Sequence, residues 1–495
     1  MKNSIKTILR AAAVTIALGS CQKDEWLNPN PTTMITDLTA FSTPERVANQ
    51  VNGLYAGLKD GDFLGSWYQI ISDVRTGEFH CSNMNAATGS TMYSMLAQTT
   101  TSDVGDIWEA AYQAINKCNV FLDGMDNMGD QVLTPEVAAN YRAEARLLRA
   151  VSYYYLLQLY ARPYWDGNGS TPGLPLRLTG NTAPGNYDLA RSSVSETYQQ
   201  ILADLDFAEQ NLPDSYSSAF LNTTRAHKNT AIALKTRVYL SMGDYAGVIT
   251  EANKIVSASA PFSAPSGVAN ALVSDITQVF TSPYTTEESI FSMPFTSNDA
   301  PGSALARFYL PGTGDGGTAT SNGAGEYSLN QIEGVYASEA WADTDDRRKL
   351  TIHGPSTGKV WLSKFNQASP YTDYAPVIRY AEVLLNLAEA LARASNSIDS
   401  RSLALFNAVY GRSNQGAALA AGDFASVAAY LDRIVEERRI EFVGEGVRNS
   451  DLMRLGLTIP GKSQHAIQAV PADDPQYIFP IPSDELILNN LMENN

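Results

Sequence analysis

Residues 230–256 constrain the fold more tightly than any other stretch, because two apolar stripes of helical period face each other across a three-residue break. Ala233, Leu234, Arg237, Tyr239 and Leu240 come before Gly243-Asp244-Tyr245, and Ala246, Ile249, Ala252 and Ile255 come after it. Spacings of three and four put each set on one face of an α-helix. Small residues and a glycine at the break allow two such helices to fold back on each other at close range.

This segment resembles a tetratricopeptide helix pair, a unit that buries its apolar face by stacking on neighbours. Further stripes supply those neighbours. Ile107, Trp108, Ala111, Tyr112, Ile115, Cys118 and Leu122 form one, and Tyr141, Ala145, Leu148, Ser152, Tyr155 and Leu159 another. A third starts at Ser193-Val194-Ser195-Glu196, where a serine and a glutamate three apart can satisfy each other's backbone donors. It runs through Tyr198, Ile201, Leu205 and Ala208 to Leu212 and stops at Pro213-Asp214. From about residue 257 to 374 the periodicity gives way to Pro, Gly, Ser and Thr, most densely over 312–325. Helical stripes return with Tyr380, Leu384, Leu387, Ala388 and Leu391, and with Val427, Leu431, Ile434 and Val435. The expected fold is therefore mostly all-α, with a tetratricopeptide-like helix-pair scaffold over about 40–256 and 375–456. A long irregular, loop-rich insertion over about 257–374 forms the ligand face, since loops can follow a ligand's contour better than rigid helices. An ordered, proline-fixed tail over 457–495 completes a single domain spanning 21–495.

The first twenty residues read as a signal peptide. Lys2, Lys6 and Arg10 precede a short apolar run over 11–18, and Leu18-Gly19-Ser20-Cys21 resembles the bacterial lipobox. Cleavage there would expose Cys21 for acylation, tethering the chain by buried methylenes rather than by a spanning helix. Removing Lys2, Lys6 and Arg10 leaves 32 basic against 52 acidic residues, a net charge of −20. Such acidity argues against nucleic acid or anionic lipid as a partner. Only Cys81 and Cys118 remain besides Cys21, and the position of Cys118 on an apolar stripe favours two buried thiols over a bridge.

Several chemistries are weak in this sequence. His80, His227, His353 and His465 are scattered singly, so no metal site is expected, and no cofactor. Gly354-Pro355-Ser356-Thr357-Gly358-Lys359-Val360 is one residue short of a phosphate loop and has Val in place of the metal-binding hydroxyl, which leaves an ordinary turn. Glu437, Glu441 and Glu445 at four-residue spacing could serve glycoside hydrolysis. Arg438, Arg439, Arg448 and Arg454 among them favour a structural ion-pair network instead.

A set of segments in fixed order resembles the SusD/RagB family of Bacteroidota surface lipoproteins. They are Trp26-Leu27-Asn28-Pro29, Ile107-Trp108 with Tyr112, Ile115 and Asn119, and Glu144-Ala145-Arg146-Leu147-Leu148-Arg149-Ala150. Next come Arg379-Tyr380-Ala381-Glu382 with Ala388-Glu389-Ala390, then Glu437-Arg438-Arg439-Ile440-Glu441-Phe442. Glu445-Gly446-Val447-Arg448, Asp451-Leu452-Met453-Arg454-Leu455-Gly456 and Phe479-Pro480-Ile481-Pro482 with Glu485 close the series. The resemblance implies a non-catalytic lid on the cell surface of the outer membrane, which captures oligosaccharides for a TonB-dependent transporter of SusC type. It also makes Gln22-Lys23-Asp24-Glu25 an export signal to the outer face. Alternatives are a lid of the same type that binds peptide, and a surface-anchored glycoside hydrolase.

Sugar recognition uses flat aromatic faces with carboxylates, amides and guanidinium groups close by. The chain carries six Trp and twenty-five Tyr. Trp108, Tyr112, Tyr155, Tyr239 and Tyr380 fall on helical stripes and are assigned to packing, and Trp341 and Trp361 to the scaffold. The ligand-binding candidates lie in loop regions where the family binds glycans: Asp73, Arg75, Glu78, Tyr93, Phe308 and Tyr309.

Overall fold

Each stripe read from the sequence is a helix in the computed structural model, which describes residues 40–300 and 305–495. The signal peptide, Cys21 and the segment 22–29 lie outside the described residues. The principal helices are α1 (Pro44–Leu58), α2 (Trp67–Val74), α3 (Ser102–Asn127), α4 (Pro135–Tyr160), α5 (Val194–Asn211), α6 (Lys228–Met242), α7 (Tyr245–Ile255), α8 (Tyr380–Ser395), α9 (Ser400–Ser413), α10 (Val427–Glu441), α11 (Arg448–Arg454) and α12 (Ser483–Leu488). The break between α6 and α7 works as the sequence suggests. Gly243 caps α6 at φ +73°, a backbone region that β-carbon-bearing residues avoid, and Asp244 caps α7 by accepting from the Gly247 amide. At the start of α5, Ser193 Oγ accepts from the Glu196 amide at 3.1 Å while Glu196 Oε2 accepts from the Ser193 amide at 2.8 Å.

The helices pack in near-sequential order: α3 on α4, α4 on α5, α5 on α6, α6 on α7, α7 on α8, and α8 on both α9 and α10. That is the stacked arrangement of a helical repeat array. Its buried residues form one main cluster that reaches from Ala40 to Met492. Cys81 and Cys118 are buried free thiols, and burial pushes them up to about 11 and about 12.

The insertion is more integrated than its composition suggests. Three two-stranded antiparallel ladders run through it: β1 (Phe79–Cys81) with β3 (Tyr327–Leu329), β2 (Ser289–Met293) with β6 (Ala375–Arg379), and β4 (Thr351–His353) with β5 (Val360–Leu362). The first two stitch the insertion to the segment after α2 and to the start of α8. Phe291, Phe308, Tyr309, Trp341, Trp361 and Phe365 are buried, so part of the insertion is core. The phosphate-loop mimic is the turn joining β4 and β5. The tail is ordered against the helices, with the Phe479 amide donating to Leu159 O at 2.7 Å.

Candidate functional site

The ladder between β1 and β3 brings the chain after α2 against the insertion, so the candidate residues from three regions come together. They meet below the surface. Asp73, Arg75, Glu78, Tyr93, Phe308 and Tyr309 are each at most 3% exposed, and none can touch a bound polymer in this arrangement. Phe308 lies 5.1 Å from Trp67 of α2, and Tyr309 stacks at 4.6 Å on Phe79. Asp73 Oδ2 accepts from the Gly446 amide at 2.9 Å, and burial holds this carboxyl well above the usual carboxylate range. Arg75 Nη2 donates to Tyr477 O at 2.9 Å, and its guanidinium lies 4.8 Å from the Phe479 ring. Glu78 accepts from Arg439 Nε at 2.6 Å and from the Val335 amide at 2.7 Å. Tyr93 packs against Tyr327 and the His465 ring. The large rings gain from burial, and Glu78 is offset by Arg439, so the six residues form a floor, in which Asp73 Oδ1 and Arg75 Nε and Nη1 have no hydrogen-bond partner among the described residues.

Above this floor, loops that are distant in sequence form one exposed polar face. The Ser82 amide donates to Glu326 O at 2.8 Å, and Lys359 Nζ donates to Ser82 Oγ at 2.9 Å. Asn83 Nδ2 lies 3.5 Å from Glu326 Oε2, as does Thr88 Oγ1. The Tyr327 hydroxyl reaches up from the floor to donate to Thr88 O. On the other flank Thr357 Oγ1 donates to Asp315 Oδ2 at 2.5 Å, which ties the β4–β5 turn to the glycine-rich segment 312–325. His465 closes a third side, bonded to Cys81 O at 3.1 Å and stacked on His80 at 5.0 Å. The face thus carries amides, a carboxylate, an ammonium and hydroxyls, with Met84 half-exposed as its apolar group. A thioether side chain adapts to irregular apolar partners, while the polar groups suit the hydroxyls of a sugar.

The candidates named from the sequence lie beneath this face, and its surface residues Asn83, Met84, Glu326 and Lys359 were not among them. The available signal was the Asn83-Met84-Asn85 run and the glycine-rich segment opposite, since short polar loops flanking a strand carry exposed groups.

The acids weighed for hydrolysis are committed elsewhere. Glu441 contacts Arg347, Arg379 and Arg412; Glu445 contacts Arg379 and Lys364; Glu437 contacts Arg347 and Arg433. Burial alone would raise Glu441, but Arg412, Arg379 and Arg347 outweigh it and hold the carboxylate below its usual range. A general acid needs the opposite shift. The acids do sit in an ion-pair network, but with other partners than the neighbouring arginines expected from the sequence: Arg438 pairs with Asp451, Arg439 and Arg448 with Glu78, and Arg454 with Glu389 and Asp451.

A family model described as "Starch-binding associating with outer membrane" matches residues 25–240, and one described as "SusD family" matches 279–495. SusD-like protein P2 of Formosa agariphila is 24% identical over 95% of each chain. The fold is similar to that of a SusD superfamily protein from Bacteroides fragilis, with TM-score 0.80 and 30% identity over 92% of this chain and 99% of that one. It is also similar to surface glycan-binding protein A from Bacteroides thetaiotaomicron in complex with laminarihexaose, with TM-score 0.70 and 19% identity over 92% and 99% of the two chains.

Proposed function

This chain belongs to the SusD/RagB family, and on that premise we propose that it is a lipid-anchored protein of the outer-membrane surface that binds oligosaccharides and passes them, uncleaved, to a TonB-dependent transporter of SusC type. The observation that carries this reading is the exposed face made by residues 82–88, the glycine-rich segment and the β4–β5 turn, held in place by a buried aromatic floor. Binding needs only convergent hydrogen-bond groups on a rigid support. The similar glycan-binding protein in complex with laminarihexaose supports sugar as the ligand class, and the outer-membrane description of the matching family supports the location. Cys21, following a lipobox, is the proposed acylation site.

Capture proceeds in this reading by hydrogen bonds from Asn83, Glu326 and Lys359 to sugar hydroxyls, with Met84 against an apolar ring face. A panel of neutral and acidic oligosaccharides and of peptides, titrated onto the mature protein, tests it. At least one oligosaccharide should bind with its length unchanged, and the double substitution Asn83→Ala/Lys359→Ala should weaken that binding about tenfold or more, the loss expected for one charge-assisted hydrogen bond. Binding of peptides alone, or shortened sugar products, overturns the proposal.

A further inference from the structure

A groove that shares no lining residue with the loop face lies between the first half of α3 and the tail, with a volume of about 670 Å³. That is within the roughly 300–1,000 Å³ of small-molecule sites. We propose that this groove is a second carbohydrate site, which takes a neutral oligosaccharide through the α3–tail groove independently of the loop face.

Its lining has the composition that sugar hydroxyls require. Gln113, Asn116 and Asn181 supply amides, and the run 99–102 supplies hydroxyls. Asn116 and Asn181 are locked together, with Asn116 Nδ2 donating to Asn181 O at 3.0 Å and the Asn181 amide donating to Asn116 Oδ1 at 2.7 Å. Tyr112 is the part-exposed aromatic ring of the groove, and it packs 4.8 Å from the buried Trp108 ring behind it. The Trp108 indole N–H points to Glu485 Oε2 at 3.4 Å, and the Tyr112 hydroxyl donates to Pro175 O at 3.0 Å, so both rings are fixed before any ligand arrives. Preorganised groups lose little freedom on binding.

Charge narrows the ligand further. Asp106, Glu109 and Asp484 line the groove together with Glu485, against the single guanidinium of Arg177. Arg177 is already engaged, donating to Tyr187 O at 2.8 Å and lying 3.4 Å from Glu485 Oε1. A uronic-acid or sulfated polymer would meet Asp106, Glu109 and Asp484, with the groove's guanidinium already turned to Glu485, while uncharged hydroxyls can donate to these carboxylates.

Gly105 offers a test that leaves the fold intact. It faces the groove from within α3, and a β-carbon placed there meets nothing within 4 Å. Gly105→Tyr projects into the groove, and a glycine in the first turn of a helix can be replaced by a residue of higher helix propensity. The experiment titrates neutral hexaoses of glucose and of mannose, an alginate hexamer and a lysine-rich peptide onto the wild type, Gly105→Tyr, Gln113→Ala, and the loop-face double variant. Gly105→Tyr is expected to keep a wild-type thermal midpoint and to remove one neutral-hexaose binding event, with Gln113→Ala weakening it severalfold. That event survives in the loop-face variant. Unchanged stoichiometry and affinity in Gly105→Tyr overturn the groove while leaving the loop face standing, whereas loss of all binding in Gly105→Tyr, with none lost in the loop-face variant, keeps the groove and removes the loop face. Binding at the groove by alginate or by the lysine-rich peptide in place of the neutral sugars also overturns the proposal.

Discussion

Lys462 is a cation in a place that resists charge. Burial, reinforced by Arg75, brings its ammonium down to about 7, and its Nζ donates to Arg75 O at 3.1 Å while lying 5.0 Å from the Tyr93 ring. The unfolded chain binds this proton up to its ordinary value near pH 10, so between about pH 7 and 10 the unfolded state holds more protons than the folded one. Stability against urea should therefore rise from pH 7 to pH 9, and Lys462→Met should flatten that rise. Phe308 and Tyr309 carry a second prediction at this scale. Because both are buried, Phe308→Ala should cost about 3–5 kcal/mol of stability, read from denaturation midpoints, rather than act on ligand affinity alone. Composition could not reveal this, since an aromatic pair in a segment without periodicity reads the same on a loop and in a core. By contrast, Trp108 and Tyr380 were legible as packing residues because helical spacing assigned them a face, and both are buried.

Among the elements, α10 and the turn after it carry the charge network that holds the insertion to the scaffold. Arg379 bridges Glu288 beside β2, Glu441 at the end of α10, and Glu445 beyond it. Arg379→Ala would leave these buried carboxylates without their shared partner and should cost about 3–5 kcal/mol, measured by chemical denaturation. Glu441, Glu445 and Glu389 are held below the usual carboxylate range and Asp451 at about 2, because surrounding cations outweigh burial. Their contribution is complete above about pH 4.5 and is lost as pH falls through the folded-state values. The thermal midpoint should accordingly fall steeply below about pH 4. The capping box of α5 is a local device, and Ser193→Ala should cost about 1 kcal/mol. Local devices such as this box and the Gly243 turn were readable from spacing. The ladders were not, because strands of three to five residues are too short to display alternation, and their partners lie far away in sequence.

For the whole molecule, the proposed tether and the proposed sugar face make a joint expectation. Cys21→Ala should move the protein from the membrane fraction to the soluble fraction without changing the oligosaccharide affinity of the folded part, as checked by fractionation and titration. Recognition and anchoring would then be separable, since the described residues include no helix long and apolar enough to cross a membrane. The tail adds a consequence for assembly. Phe479 pairs with Leu159, and the Asn495 amide group donates to Tyr160 O at 2.9 Å, so the two ends of a span of more than three hundred residues close on each other. In a chain that emerges in order from a ribosome, this contact forms only after the intervening helices have been delivered. The stacked helices can therefore pack on one another before the contact that fastens the tail to them is available.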